Sequence, residues 1–77
     1  MRVGVIGVGA LGQHHARVYA ALEGVLLAGV YDVDLGRAGE VASRHGSRAY
    51  AHLRELLPEV DAVSVAVPTV EIGRAHV

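Results

Sequence analysis

Short apolar runs alternate along this chain with longer segments of helical periodicity. The apolar runs predict four strands, at residues 3–6, 25–31, 48–50 and 61–67. Their nearly continuous hydrophobicity is typical of strands that are buried on both faces of a parallel sheet. Pro68 cannot continue the last run as a central strand, because it has no backbone N–H to donate.

Three helices are predicted between these runs. Residues 10–22 give the first, which ends at Gly24, and residues 35–45 give the second, with Asp34 as N-cap and Gly46 as terminator. Residues 53–57 add about one and a half helical turns. The faces expected to pack on the sheet are Leu11, His15, Val18 and Leu22 in the first helix and Leu35, Ala38, Ala42 and His45 in the second.

This alternation of strands and helices indicates an α/β fold with a parallel sheet. Right-handed crossovers predict the strand order 3-2-1-4 and place both long helices on the same face of the sheet. With 77 residues the chain is shorter than an ordinary domain of about 100–150 residues. We therefore expect a truncated sheet of about four strands rather than a complete enzyme with its own substrate pocket.

Composition, charge and hydropathy exclude several classes of protein. A hydrophobic content of 52% and a mean hydropathy of +0.37 argue against disorder, and the lack of cysteine excludes disulfides, zinc ribbons and a cysteine nucleophile. The net charge of −1, without a basic cluster, argues against a nucleic-acid partner. No apolar stretch is long enough to span a membrane, and the glycines near the N-terminus do not suit a signal peptide, so we expect a cytoplasmic protein.

The chain's strongest motif is Gly7-Val8-Gly9-Ala10-Leu11-Gly12, which fits G-x-G-x-x-G. It leaves the first predicted strand, opens the first helix, and is followed twenty residues later by Asp32 at the end of the second strand. Gly7 permits the tight turn, Gly9 lets a pyrophosphate approach the backbone, and Gly12 lets the helix pack closely. Asp32 can accept both hydroxyl protons of an adenosine ribose. The pattern predicts a dinucleotide site of the Rossmann type.

The alternative interpretation is that these glycines serve only close packing and that Asp32 is a solvated strand end. Pro68 and Thr69 follow the fourth strand beside the first, at the topological switch point where ligands bind in such sheets. We therefore expect Thr69, or the backbone near it, to contact the cofactor, against the alternative of a plain strand terminator.

Other chemistry-bearing residues carry weaker signals. His14 and His15 are adjacent, but neighbouring helical residues point about 100° apart, so His15 is better explained as a packed, hydrogen-bonded histidine than as a metal ligand. No metal site is predicted. Ser64 lies in an apolar run with no histidine at triad spacing, which argues against a nucleophile.

Four segments, MRVGVIGVGALGQHHARVYAAL, LLAGVYDVD, SRAYAHLRELL and VDAVSVAVPT, resemble the nucleotide-binding part of the glucose–fructose oxidoreductase and inositol dehydrogenase family, Gfo/Idh/MocA. The likeness covers residues 1–70. It implies NAD or NADP as cofactor, a sugar, inositol or related polyol as substrate of the longer parent, and a homo-oligomeric parent. The cofactor contacts that it implies are Gly7, Gly9, Ala10, Leu11, Asp32, Val67 and Pro68.

The resemblance supplies no catalytic residue, because the family's Glu-Lys-Pro lysine is missing and all seven cationic residues are arginine. After Val67-Pro68-Thr69 the family shows a histidine where this chain has Ile72. The final heptapeptide, Glu71 to Val77, is the translation of one reading frame of a widely used sequencing adapter. We therefore expect residues 1–70 to be a partial nucleotide-binding domain and residues 71–77 to be a non-native tail, against the alternative of a true but divergent C-terminus.

Two further functions remain open at this point. One is a non-catalytic dinucleotide-binding module such as a redox-sensing regulator. The other is a Rossmann protein that uses flavin or S-adenosylmethionine, although flavin proteins more often carry Glu than Asp at the strand end. NAD is expected over NADP, because the carboxylate of Asp32 would face the 2′-phosphate. The neighbouring Val33 and Asp34 supply no cation.

Overall fold

A computed structural model describes residues 1–66 of the chain. Within this range four parallel strands form one sheet, in the order β3-β2-β1-β4. Their bounds are β1 Arg2–Ile6, β2 Leu26–Tyr31, β3 Ala49–Tyr50 and β4 Ala62–Val65. The predicted fold class and strand order are confirmed.

Three helices connect these strands: α1 Ala10–Ala21, α2 Leu35–Arg44 and the short α3 Leu53–Leu56, which continues into a 3-10 turn at Leu57–Glu59. Asp34 is the N-cap of α2, as predicted, and its Oδ1 accepts the backbone N–H of Arg37 at 3.1 Å. Gly24 and Gly46 follow the two long helices with φ of 77° and 62°. This left-handed conformation favours glycine and ends each helix.

The main core lies between the sheet and the two long helices. A register shift between Val3 and Gly4 pairs Val3 with Leu27 but Gly4 with Gly29. Because of this shift, Leu27 and Val30 both belong to the core on the helix side, although their spacing is odd. The buried members of this core are Val5, Val8, Ala16, Leu27, Val30, Ala38, Val41 and Ala42.

On the opposite face of the sheet, α3 covers the middle of β1 and β2, while Val63 and Val65 of β4 stay 38% and 58% exposed. Gly4 and Gly29 lie side by side on β1 and β2, and Leu56 packs over both with no exposed surface. A Cβ at Gly4 would lie 3.2 Å from Leu56 Cδ1, and a Cβ at Gly29 would lie 2.8 Å from the same atom. The glycine pair therefore provides the space that the leucine fills.

The predicted packing face of α1 is wrong. Leu11, Val18 and Leu22 are 57%, 39% and 47% exposed, while the buried residues of this helix are Gly12 and Ala16. The helix approaches the sheet too closely for large side chains, so the smallest residues face the core. In α2, Ala38 and Ala42 are buried as expected, but Leu35 is exposed and Val41 takes its place in the core.

Candidate dinucleotide site

The turn between β1 and α1 is held in a shape that requires glycine at its start. Gly7 has φ of 87°, and its N–H donates to the carbonyl oxygen of Tyr31 at 2.8 Å. This bond fastens the beginning of the turn to the end of β2. The role predicted for Gly7 fits this conformation, because residues with a Cβ rarely adopt it.

Gly9 is the N-cap of α1, with φ of −69° and ψ of −162°. Within residues 1–66 no side chain caps this helix, and its first turn contains no acidic residue. The backbone N–H groups of that turn are therefore available to an anion. A Cβ at Gly9 would meet nothing within 4 Å, so the space above this residue is open. Ala10 and Leu11 are exposed beside it.

Asp32 lies at the end of β2 and is only 8% exposed. Its Oδ2 accepts the N–H of Val8 at 2.8 Å, and its Oδ1 accepts the N–H of Asp34 at 2.8 Å. Burial raises the pKa of this carboxyl group, but the two backbone donors and the nearby charge of Arg37 outweigh burial and leave the pKa below its usual value. Asp32 is therefore a buried, ionised carboxylate rather than a solvated strand end.

Val8 lies between Asp32 and α1 and has no exposed surface. Its carbonyl oxygen accepts a hydrogen bond from Gln13 Nε2 at 3.1 Å. Arg44 of α2 extends this contact, since its Nη1 lies 3.4 Å from Gln13 Oε1 and its Nη2 forms an ion pair with Glu40. The sequence analysis missed Gln13, because no part of the G-x-G-x-x-G pattern requires a particular residue at that position.

His15 is half-buried and its Nδ1 lies 2.9 Å from Ser64 Oγ, which joins α1 to β4. The expectation of a hydrogen-bonded histidine is confirmed. The sequence showed no histidine at triad spacing from Ser64, but the fold brings His15 to Ser64 from 49 residues away. Within residues 1–66 there is no group of three or more residues that could hold a metal ion.

The geometry of these residues fits a dinucleotide. An open, uncapped helix N-terminus suits a pyrophosphate, and an ionised carboxylate at the neighbouring strand end suits a ribose diol. Of the predicted contacts, Gly7, Gly9, Ala10, Leu11, Gly12 and Asp32 lie in the described part of the chain. Val67, Pro68 and Thr69 lie outside the described residues. No helix among residues 1–66 is long and apolar enough to cross a membrane.

A family model described as the oxidoreductase family with an NAD-binding Rossmann fold, GFO_IDH_MocA, matches residues 1–77. The chain is 54% identical over 69 residues to the UDP-N-acetylglucosamine 3-dehydrogenase of Acidithiobacillus ferrooxidans, a match that covers 90% of this chain and 21% of that protein. The solved structure of that enzyme matches with a TM-score of 0.84, over 90% of this chain and 22% of that chain.

Two further matches are inositol dehydrogenases. The inositol 2-dehydrogenase/D-chiro-inositol 3-dehydrogenase of Shouchella clausii is 45% identical over 71 residues, which cover 86% of this chain and 20% of that protein. The structure of myo-inositol dehydrogenase from Lactobacillus casei in complex with NAD(H) and myo-inositol has a TM-score of 0.77 at 32% identity, over 86% of this chain and 21% of that chain. The chain thus spans about a fifth of the length of these relatives.

Proposed function

The chain belongs to the Gfo/Idh/MocA oxidoreductase family, which has an NAD-binding Rossmann fold, and we propose that it is the cofactor-binding part of an NAD-dependent dehydrogenase. The substrate proposed for the whole enzyme is a sugar, an inositol or a related polyol. The names of the relatives support this class, since they are a UDP-N-acetylglucosamine 3-dehydrogenase and inositol dehydrogenases.

The observation that carries the proposal is the position of Asp32. Its carboxylate ends β2 and reaches the turn that opens α1, so a ribose bound to it would place the adjoining pyrophosphate toward the uncapped helix N-terminus. Bound NAD supplies the hydride acceptor. This chain's own residues hold the cofactor. Gly9 leaves open space for the pyrophosphate, Ala10 and Leu11 offer backbone N–H groups, and Asp32 accepts hydrogen bonds from the ribose hydroxyls. We include Val67, Pro68 and Thr69 as proposed contacts after β4.

No residue of this chain is proposed as catalytic, since the chain has no lysine to match the one in the family's Glu-Lys-Pro motif. We propose residues 1–70 as the partial nucleotide-binding domain and residues 71–77 as a non-native tail. For the whole enzyme we propose a homo-oligomer in the cytoplasm with no nucleic-acid or membrane partner. Independent long reads of the source DNA beyond codon 70 test the tail, and genuine genomic sequence encoding residues 71–77 would contradict it.

Titration of NAD into the protein and into the variant Gly9→Ser tests the proposal. Serine is a good N-cap, so the helix should keep its stability. The added side chain would fill the open space above the turn and compete for the N–H groups that a pyrophosphate needs. We expect NAD binding by the unmodified protein and at least about a tenfold loss in the variant, equivalent to one hydrogen-bonded contact.

Two other results would contradict the proposal. If the unmodified protein binds flavin or S-adenosylmethionine but not NAD, the assignment of NAD as the cofactor is wrong. If the whole enzyme binds NAD but turns over neither sugar nucleotides nor polyols, a non-catalytic redox-sensing module replaces the dehydrogenase.

A further inference from the structure

Side chains hold the backbone of Val8 at both of its polar groups. The N–H of Val8 donates to Asp32 Oδ2 at 2.8 Å, and the carbonyl oxygen of Val8 accepts from Gln13 Nε2 at 3.1 Å. The side chain of Val8 is also fully buried in the core. These contacts fix the backbone immediately before Gly9, where the phosphate-binding turn opens.

Asp32 has enough acceptor sites for two tasks. A carboxylate offers about four lone-pair positions. Two are used by the N–H groups of Val8 and Asp34. The remaining positions can accept the two hydroxyl groups of a ribose, so ribose recognition does not require the carboxylate to release the turn. The same side chain can therefore bind the cofactor and hold the turn at the same time.

We infer that Asp32 and Gln13 are positioning residues for the phosphate-binding turn: they hold the two peptide groups that flank Val8, so that the backbone N–H groups after Val8 face the pyrophosphate. This inference rests on the proposed function and assigns Asp32 a second task besides its ribose contact. Gln13 acts on the turn through the Val8 carbonyl, and within residues 1–66 its other hydrogen-bond partner is Arg44 of α2. Both residues therefore affect diphosphate binding through the backbone.

Two nucleotides separate the positioning task from the ribose contact. ADP carries the diphosphate and the ribose diol, whereas 2′,3′-dideoxyadenosine 5′-diphosphate carries the diphosphate without the diol. The dissociation constants of both are measured for the unmodified protein and for Asp32→Asn, Gln13→Met and Ala20→Met. Asparagine and methionine keep the approximate size of the side chains that they replace. Ala20→Met is the control, because Ala20 lies on the exposed side of the same helix.

Gln13→Met should weaken both nucleotides by the same factor, about three- to tenfold, so that the ratio of their affinities is unchanged. Asp32→Asn should weaken the dideoxy nucleotide by a similar factor, and it should also remove the preference for ADP. Loss of a negative charge near a diphosphate would by itself strengthen binding, so a weakening has the opposite sign to the electrostatic effect. Ala20→Met should change neither affinity.

NMR spectroscopy of the unmodified protein tests the contacts of Asp32 independently of how well the variants fold. The amide protons of Val8 and Asp34 both donate to Asp32. Their NMR chemical shifts should therefore move together as the carboxylate is protonated, with one shared midpoint. In Gln13→Met the Val8 amide resonance should shift while that of Asp34 stays in place.

The possible outcomes are distinct. If the unmodified protein binds neither nucleotide, the proposed function fails. If it binds both, but Asp32→Asn and Gln13→Met bind the dideoxy nucleotide as tightly as the unmodified protein does, the positioning role is wrong and the proposed function stands. Independent titration of the Val8 and Asp34 amides would also overturn the positioning role of Asp32.

Discussion

Gly12 of α1 packs directly against the carbonyl oxygen of Gly7, so closely that a Cβ built on Gly12 would overlap that atom. The overlap is with backbone, which cannot move aside as a flexible side chain could. This contact sets the distance between α1 and the sheet, and it explains why the helix buries Gly12 and Ala16 rather than its leucines. Packing at this point therefore determines the shape of the turn between β1 and α1.

The first prediction concerns Gly12→Ala. Because the added methyl group would overlap Gly7, the helix must shift or the turn must open, and we expect a loss of about 2–4 kcal/mol in the free energy of unfolding. Gly39→Ala is the matched control, since a Cβ at Gly39 would meet nothing within 4 Å. That change should stabilise α2 by about 1 kcal/mol. Urea unfolding of the two variants checks both values, and equal stability would contradict the packing argument.

Two adjacent leucines provide a second prediction. Leu56 has no exposed surface and fills the space above Gly4 and Gly29, whereas Leu57 is 47% exposed. Leu56→Ala should therefore leave a cavity and lower the free energy of unfolding by about 2–5 kcal/mol. Leu57→Ala should cost about 1 kcal/mol or less. Chemical denaturation of both variants measures the difference. Similar losses would show that α3 does not cover the sheet as described.

The third prediction concerns the link between His15 and Ser64. Removing the hydroxyl group in Ser64→Ala leaves the Nδ1 of a half-buried histidine without this partner, so we expect a loss of about 1 kcal/mol in stability. Ser43→Ala is the control, because Ser43 is exposed on α2. It should change the free energy of unfolding by about 0.5 kcal/mol or less. If Ser64→Ala and Ser43→Ala have the same melting temperature, the hydrogen bond between His15 and Ser64 contributes no measurable stability.

Most element ends could be predicted from the sequence because their causes are local, and the strand order could be predicted because crossovers between parallel strands are right-handed. Asp34 caps α2 through a neighbour three residues away, and Gly24 and Gly46 end helices through their own conformation. The face of α1 could not be predicted in this way. Hydrophobic periodicity assumes that the largest apolar residues face the core, but contact with Gly7 admits only a residue without a Cβ at position 12.

Only the part of the site that depends on local sequence could be predicted. G-x-G-x-x-G and the following strand-end carboxylate form a pattern that can be read along the chain. The bond from Val8 to Asp32 spans 24 residues, and the bond from His15 to Ser64 spans 49 residues. Such contacts depend on how β1, β2 and β4 lie side by side. The sequence predicted that order, but not which side chains would meet across it.

A fourth prediction follows from the ionisation of Asp32. Its pKa in the folded protein is lowered, because the backbone donors and Arg37 outweigh the effect of burial. Ionised Asp32 therefore adds stability above the unfolded-state pKa of about 3.9, and this contribution is lost as the pH falls through the lower pKa of the folded state. In urea titrations from about pH 6 to about pH 3, Asp32→Asn should lose less stability than the unmodified protein. If the free energy of unfolding falls equally with pH in both proteins, the lowered pKa of Asp32 is contradicted.

We propose that the carboxylate of Asp32 binds the hydroxyl groups of the adenosine ribose of NAD. The same carboxylate would repel the 2′-phosphate of NADP, and Val33 and Asp34 offer no positive charge in compensation. Arg37 is the nearest cation along the chain, and its Nη2 lies 3.9 Å from Asp34 Oδ2. A penalty of about 1.5–3 kcal/mol corresponds to roughly a ten- to hundredfold preference for NAD.

Calorimetric titration of NAD and NADP into the protein, Asp32→Asn and Asp34→Asn tests this claim most directly. Asp34→Asn is the matched control, because it removes the same charge two residues away and asparagine still caps a helix. We predict that the unmodified protein and Asp34→Asn prefer NAD by about ten- to a hundredfold, and that Asp32→Asn loses most of this preference. Equal or tighter binding of NADP by the unmodified protein would contradict the role of Asp32.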